Sequence, residues 1–345
     1  MKQKILAVGS NLPCDINIGD YIQAVAASQF LNKIDGYIER EQLKEYKGEP
    51  CAVIMNGWYM HHPEQWPPNN EIKPLFIAFH INKMVEEKFL SKESVDYLKM
   101  HQPIGCRDTH TMNLLKDKGV DAYFSGCLTL TLGLNFKSTH CSGKTYFVDP
   151  YFKITDRSWK WKIKALFYLI LNLSDTCKLI KARKLNTPTS IGKFLDNAWF
   201  LKVYSKIFEK KLILNSEYIY HELPYYAEKL RTNDERMHFA QELIKKYSEA
   251  SLVVTSRIHC ALPCTGMETP VIYIENEKQD EISSCRFGGL KELFNIVNFD
   301  GNNLHHKLNI TGKISGKNHP EIKYNYRILS KKMQSICKTF INSNT

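Results

Sequence analysis

An α/β protein made of two consecutive parallel-sheet units is the fold the sequence predicts, and three observations predict it. Residues 251–274 read as strand, polar turn, short helix and strand: Leu252-Val253-Val254 run without alternation, and Val271-Ile272-Tyr273-Ile274 follow Thr269-Pro270. Continuous β-branched runs separated by a helix are what a parallel sheet covered on both faces produces. The strand-first pattern occurs twice, once from Ile5 and again from Thr145. A chain of 345 residues also exceeds what one hydrophobic core fills, about 250–300 residues.

In chain order, residues 5–8 form the first strand, and the polar loop 9–20 leads into a helix that Gly19-Asp20 opens and that runs to Leu31. A loop between a first strand and a first helix is where a phosphate or sugar meets the free N–H groups of a helix N-terminus. Asn17, Gly19 and Asp20 are therefore candidate ligand contacts. The glycines at 9 and 19 lack the G-x-G-x-x-G spacing, so the loop is no dinucleotide fingerprint. Strands at 51–55 and 75–79 follow, ending in Asn56-Gly57 and in His80. Between them, MNGWYMHHPEQWPPNN is rich in aromatics, His and Pro, which suits a loop over a cleft or plain surface packing. A helix at 91–101 precedes a short strand that ends in Arg107, and Asp108 caps the next helix, with Gly119 as its C-terminal stop. The run YFSGCLTLTL (123–132) reads as one or two strands closing a first domain at 1–140.

The second domain is expected at 141–319. It opens with a strand at 145 and has another at 218–220 ending in His221-Glu222. An amphipathic helix at 233–250 then leads into 251–274. Arg286 heads the turn Phe287-Gly288-Gly289 before another helix, and 320–345 reads as a terminal helix crossing back to the first domain. Ligands in parallel sheets bind at the carboxyl ends of strands. Arg257 and His259 stand at such an end, and so do His80 and Arg107. Each has a structural alternative: a strand-end ion pair for the arginines, a cap or a satisfied core imidazole for the histidines.

Composition excludes several classes. The apolar and charged fractions, 43% and 24%, are those of a folded globular chain. The ten cysteines form no C-x-x-C pair and no His/Cys zinc spacing, so free thiols in a reducing compartment and no bound metal are expected. The five-residue apolar run after MKQK is too short for a secretory core, and the run 165–171 is far below the roughly 20 residues of a membrane span. A cytoplasmic protein is expected, peripheral at the inner face of the membrane. That last point rests on charge. Of a net +11, residues 157–211 carry thirteen Lys/Arg against Asp175, Asp196 and Glu209, with Trp159, Trp161 and Trp199 among them. Basic residues flanking Trp-rich apolar helix are the profile of an interfacial helix on anionic lipid; the alternatives are a solvated basic face, a dimer contact or a nucleic-acid patch. No nucleic-acid module accompanies the segment, so nucleic acid is not an expected partner.

The ordered set NIGD (17–20), the strand ending NG (56–57), GCRD (105–108), SGCLTLTL (125–132), TSRIH within 247–274 and RFGGL (286–290) resembles the polysaccharide pyruvyl transferase family over nearly the whole chain. The similarity is weakest across 151–215. TSRIH with its flanking strands is the most specific piece. Two departures concern the acceptor side: Asn56-Gly57 where many members have Gly-Gly, and Gly126-Cys127-Leu128 where many have Gly-Asp-Pro. The resemblance implies two Rossmann-like domains facing a cleft, as in GT-B glycosyltransferases, with 157–211 as an insertion. It also implies transfer of pyruvate from phosphoenolpyruvate to sugar hydroxyls of a cell-surface polysaccharide precursor, as a ketal, with no cofactor. The acceptor is then a nucleotide- or lipid-linked saccharide. A GT-B glycosyltransferase using a nucleotide sugar is the alternative.

Phosphoenolpyruvate carries a carboxylate and a phosphate, about three negative charges near neutral pH, which arginine forks match bidentately. Arg107 and Arg257 are accordingly the expected donor clamp across the cleft. Forming the ketal needs a proton donor and a proton acceptor with pKa near the working pH, the range of histidine. His259 is the first candidate, His80 the second and His221 a weaker third, with Asn17, Gly19, Asp20, Asn56 and Gly57 toward the acceptor.

Overall fold

The computed structural model describes residues 1–7, 16–59, 61–183, 190–222, 224–278 and 285–345. Val8 with the start of the first loop, Met60 of the aromatic loop, 184–189 of the basic segment, Leu223 and the charged loop at 279–284 lie outside these residues.

The N-terminal half begins with β1 (Lys2–Ala7) and α1 (Ile18–Ser28), and continues through β2 (Tyr37–Glu39), β3 (Cys51–Met55) and β4 (Ile72–Phe76). Four strands pair in parallel in the order β2-β1-β3-β4. α2 (Lys92–Met100), β5 (Ile104–Cys106), α3 (Thr109–Asp117) and β6 (Ala122–Phe124) complete it. β5 and β6 pair in parallel, and single bridges Trp58–His80 and Phe79–Cys106 carry the sheet on from β3 through β4 to β5. The fourth strand ends at Phe76, three residues earlier than its apolar run predicts, because the chain bends at Ala78, φ 54°, before Phe79 bridges to Cys106.

The C-terminal half comprises β7 (Thr145–Val148), α4 (Trp159–Leu171), α5 (Leu173–Ala182), α6 (Ile191–Tyr204), β8 (Glu217–Ile219), α7 (Asn233–Ser248), β9 (Leu252–Thr255), α8 (Ile258–Gly266), β10 (Val271–Asn276), β11 (Asn295–Phe299), β12 (Leu304–His305) and α9 (Tyr326–Asn342). Its six strands run in the order β8-β7-β9-β10-β11-β12, parallel except for β12. Counted from its own first strand, this order (second, first, third, fourth, fifth, sixth) is the one the N-terminal strands follow. The repeat lies in topology, not in sequence.

Two expected elements differ. Residues 123–132 give β6 and then a tight 3-10 turn at Leu128–Thr131 in place of a second strand. The turn is buried beneath α8 and α9, and a short apolar run cannot by itself be told apart from a buried strand. The helix expected after Gly289 is a single 3-10 turn, Lys291–Leu293, followed by β11.

The largest apolar core spans both halves. Ile18, Ile22 and Val25 of α1 pack with Ala240 and Ile244 of α7, with Leu128 and Leu130, and with Met333 and Cys337 of α9. At Gly266 the end of α8 meets the Leu130 carbonyl backbone to backbone; a Cβ there would stand 2.5 Å from that oxygen. Among the described residues, no helix is long and apolar enough to cross a membrane.

Candidate functional site

At the carboxyl ends of both sets of strands lies one cavity of about 370 Å³, lined among others by Asn17, Asp20, Trp58, His80, Arg107, Asp149, Tyr151, His221, Arg257, His259 and Arg286. The volume falls in the range of small-molecule sites, about 300–1,000 Å³.

The N-terminal wall is built on β4, β5 and α3. Asp108 caps α3, accepting from the Thr111 N–H at 2.8 Å, and its other oxygen lies 2.6 Å from His80 Nδ1. Both side chains are fully buried. Burial works to raise Asp108, but its contacts with His80, the Arg107 charge and the cap bond outweigh this and hold the carboxyl below its usual range. Burial, reinforced by Arg107, pulls His80 down to about 4 against the pull of Asp108. At neutral pH the pair is an ionised carboxylate and a neutral imidazole. The Asp108 contact assigns the His80 proton to Nδ1, leaving Nε2 as a lone pair, buried and without a partner. Arg107 is 3% exposed, its Nε has no hydrogen-bond acceptor, and it makes no ion pair among the described residues. Burial lowers its pKa, yet a guanidinium stays cationic at neutral pH.

Arg286 joins this wall from the other half. The Cys285–Phe287 turn docks on the start of α3, where the Thr109 N–H donates to the Gly288 carbonyl at 3.1 Å. Glycine is required there: a Cβ at Gly288 would lie 2.4 Å from Thr109 Oγ1, and Gly289 has φ 77°. Arg286 Nε is likewise buried, with no partner among the described residues.

The C-terminal wall is different. Arg257, at the end of β9, donates through Nε to Asp149 at 2.8 Å and through a terminal nitrogen to Glu222 at 2.8 Å. Burial works to lower its pKa, and the two carboxylates raise it above the usual value. Asp149, pushed up by burial and held down by Arg257, also accepts from the His221 N–H. Asn17 ties this wall to α1: its Oδ1 caps the helix by accepting from the Gly19 N–H, and its Nδ2 donates to Glu222 at 2.9 Å.

His259 lies in the first turn of α8, where φ −82° and ψ 15° depart from helix. Its Nδ1 is 3.4 Å from Gln23 Nε2. The amide N–H₂ can only donate, which assigns the His259 proton to Nε2, buried and unpartnered. Burial, then the charges of Arg107, His221, Arg286 and Arg257, push His259 well below its usual range. His221 bonds Tyr247 through Nε2 at 2.9 Å, and burial, then Arg257, pull it down to about 3.

Of the residues singled out from sequence, Asn17, Asp20, His80, Arg107, Arg257 and His259 line this cavity. Gly19 lies directly behind it, where a Cβ would meet Asn17 Oδ1 at 2.9 Å and His221 Nδ1 at 3.2 Å. Asn56 and Gly57 are not brought to it. Asn56 is 3% exposed and donates to the Gln23 carbonyl, and Gly57 packs on Leu6 and Arg40. Sequence reasoning passed over Asp149 and Glu222 as partners and read Asp108 as a cap alone. Arg286 was visible as a basic residue before a Gly-Gly pair, but its place beside Arg107 depends on the docked turn. No group of three potential metal ligands occurs among the described residues.

Two arginines without an acceptor among the described residues, a carboxylate-held imidazole and a second imidazole with an N–H unpartnered among them, in one cavity, suit a small polyanion and proton transfer beside it. A comparison with curated proteins gives no match. A family model described as polysaccharide pyruvyl transferase matches residues 17–278, a span that runs from the cap of α1 past β10 and holds every cavity residue named above except Arg286. The chain belongs to the polysaccharide pyruvyl transferase family.

Proposed function

We propose that the chain transfers pyruvate from phosphoenolpyruvate to two hydroxyls of a sugar in a polysaccharide precursor, forming a cyclic ketal and releasing phosphate. The observation that carries the reading is the pair of arginines, Arg107 and Arg286, whose guanidiniums meet no acceptor among the described residues, in the cavity that also holds His80 and His259. A ligand bearing both phosphate and carboxylate offers two acceptor groups for two forks.

In this reading the donor sits on Arg107 and Arg286. The His259 Nε2–H faces the bound donor. Burial, then the surrounding positive charges, hold His259 neutral; the donor's roughly three negative charges offset those charges, so donor binding raises its pKa and lets it protonate the methylene carbon. A sugar hydroxyl adds to the adjacent carbon, giving up its proton to His80 Nε2, and Asp108 stabilises the imidazolium that forms. The second hydroxyl then displaces phosphate, whose oxygen leaves with the bonding pair. The first hydroxyl's proton passes from His80 to the departing phosphate and the second hydroxyl's proton restores His259, so one turnover replaces two O–H bonds by one C–H and one P–OH. No cofactor enters this scheme. Arg257, held by Asp149 and Glu222, belongs in this reading to the acceptor side with Asn17 and Asp20. A nucleotide- or lipid-linked saccharide is the acceptor class proposed. The matching strand orders support reading residues 1–140 and 141–319 as two Rossmann-like domains of GT-B type.

The experiment is phosphate release from phosphoenolpyruvate, followed with pools of nucleotide-linked and lipid-linked saccharides. Acceptor-dependent release with gain of a pyruvyl group on the sugar supports the reading. Saturable binding of a UDP- or GDP-sugar that phosphoenolpyruvate neither competes with nor follows, with sugar transfer as the product, would replace it with a glycosyltransferase.

A further inference from the structure

The basic segment contains one helix whose apolar side faces outward. α4 does not lie on the sheet; it packs on α6, which in turn covers the C-terminal sheet through Phe200, Leu201 and Tyr204. Its inward side is Trp161, Ala165 and Leu169. At about 100° per residue, the opposite side carries Trp159, Ile163, Leu166, Phe167, Ile170 and Leu171, and these are 47–67% exposed. A helix apolar on both sides buries both in an ordinary fold. Here nothing among the described residues covers the outer one.

The charges around this stripe say what does. On the same helical projection Lys162 borders it on one flank and Lys160 and Lys164 on the other, all exposed. Between 157 and 183 there are seven Lys/Arg and one acid, Asp175, which is already paired with Lys210. A second copy of this chain would bring the same lysines against themselves, and a protein partner would need a matching acidic rim. An anionic bilayer supplies both halves of the match: an acyl boundary for the stripe and phosphates for lysines that snorkel along its edges.

We infer that α4 is an interfacial helix that lays the chain on anionic phospholipid, with Trp159, Ile163, Phe167 and Ile170 entering the headgroup boundary. Of the three tryptophans in the segment, Trp159 alone serves this contact, since Trp161 and Trp199 pack against each other in the core beneath. The contact is tied to the cavity. Tyr151 lines it, and Phe152 and Ile154 of the same loop pack under α4, whose first residue is Trp159. Docking this helix thus brings the cavity rim toward the bilayer, where a lipid-linked saccharide presents its sugar. The membrane contact itself does not depend on the pyruvyl-transfer reading.

The test is co-sedimentation of the full chain with vesicles of phosphatidylglycerol and phosphatidylcholine in equal parts, and of phosphatidylcholine alone. The expected result is binding to the anionic vesicles that weakens about tenfold or more in Lys160→Glu/Lys164→Glu, and as much in Phe167→Glu/Ile170→Glu. All four positions are exposed and outside the cavity, and an unchanged circular dichroism melt and unchanged phosphoenolpyruvate titration show that the variants fold. The inference is overturned if the wild type does not sediment with anionic vesicles. It is also overturned if Phe167→Glu/Ile170→Glu binds as the wild type does, or if that variant instead converts a solution dimer to a monomer, which would give the face to a second copy.

Discussion

The two walls of the cavity each present an arginine at a strand end, and the two are in opposite states. Arg107, after β5, is buried with its guanidinium unengaged, while Arg257, after β9, is spent on Asp149 and Glu222. The histidines divide the same way. His80 is held by a charged partner, Asp108, and His221 by a neutral one, the Tyr247 hydroxyl. An unpaired buried cation is costly unless an anion arrives to meet it, so the N-terminal wall is poised for a ligand. The C-terminal wall is already balanced. The motifs GCRD and TSRIH look alike in sequence and differ in pairing: Asp149 and Glu222 bond Arg257 directly, while Asp108 beside Arg107 is turned to His80 and the cap of α3.

The largest effect that would sharpen this comparison is on Arg107. Arg107→Ala is expected to weaken phosphoenolpyruvate binding by about a hundredfold or more, the cost of losing a desolvated charged partner, with thermal stability unchanged or raised because a buried charge is gone. Next is Asp108→Asn, which keeps an oxygen to cap α3 but removes the charge behind His80. A fall in kcat of about 10²-fold is expected, with donor affinity within about threefold; a Michaelis analysis separates the two.

Arg257→Ala tests the balanced wall. Removing the cation leaves Asp149 and Glu222 side by side, and a loss of about 2 kcal/mol in urea unfolding is expected, reduced from the value for fully buried pairs by the partial exposure of the site. Donor affinity should change far less than in Arg107→Ala.

The pH dependence of stability follows from the histidines. Burial holds His80 at about 4 and His221 at about 3 in the folded chain, against 6.5 for a free imidazole. The unfolded chain therefore takes up protons first as pH falls, and stability drops from about pH 6.5 down to about 4 for His80 and about 3 for His221, by about 1.4 kcal/mol per pH unit for each group within its window. His221→Gln should flatten this slope in unfolding curves collected across the range, whereas a slope unchanged in that variant would remove His221 from the account. The smallest effect is that of Asn56→Ala. It breaks the bond to the Gln23 carbonyl, costing about 1 kcal/mol of stability, with donor binding unchanged.

Much of the fold could be read in advance because its signals are local. The unbroken apolar runs of β3, β9 and β10 mark strands buried on both faces, and Asp108 announces α3 through its position alone. The failures occur where a local pattern has two solutions. Leu128–Thr131 is as apolar as a strand but turns under α8 and α9, and residues after Gly289 carry helix formers yet feed β11 at once. The site was legible as a set of strand-end residues and illegible as a network. Asp149 lies 108 positions from Arg257, and Asp108 lies 28 from His80; no spacing rule spans such distances. Asn56 illustrates the converse: a polar residue at a strand end whose amide is consumed by a backbone carbonyl.

The most direct measurement is titration calorimetry of phosphoenolpyruvate into the wild type, Arg107→Ala and Arg257→Ala side by side. Saturable binding that is lost in Arg107→Ala and persists within about tenfold in Arg257→Ala is the predicted result. Binding lost in Arg257→Ala and retained in Arg107→Ala would contradict it, because the anion site would then lie on the arginine that Asp149 and Glu222 already hold.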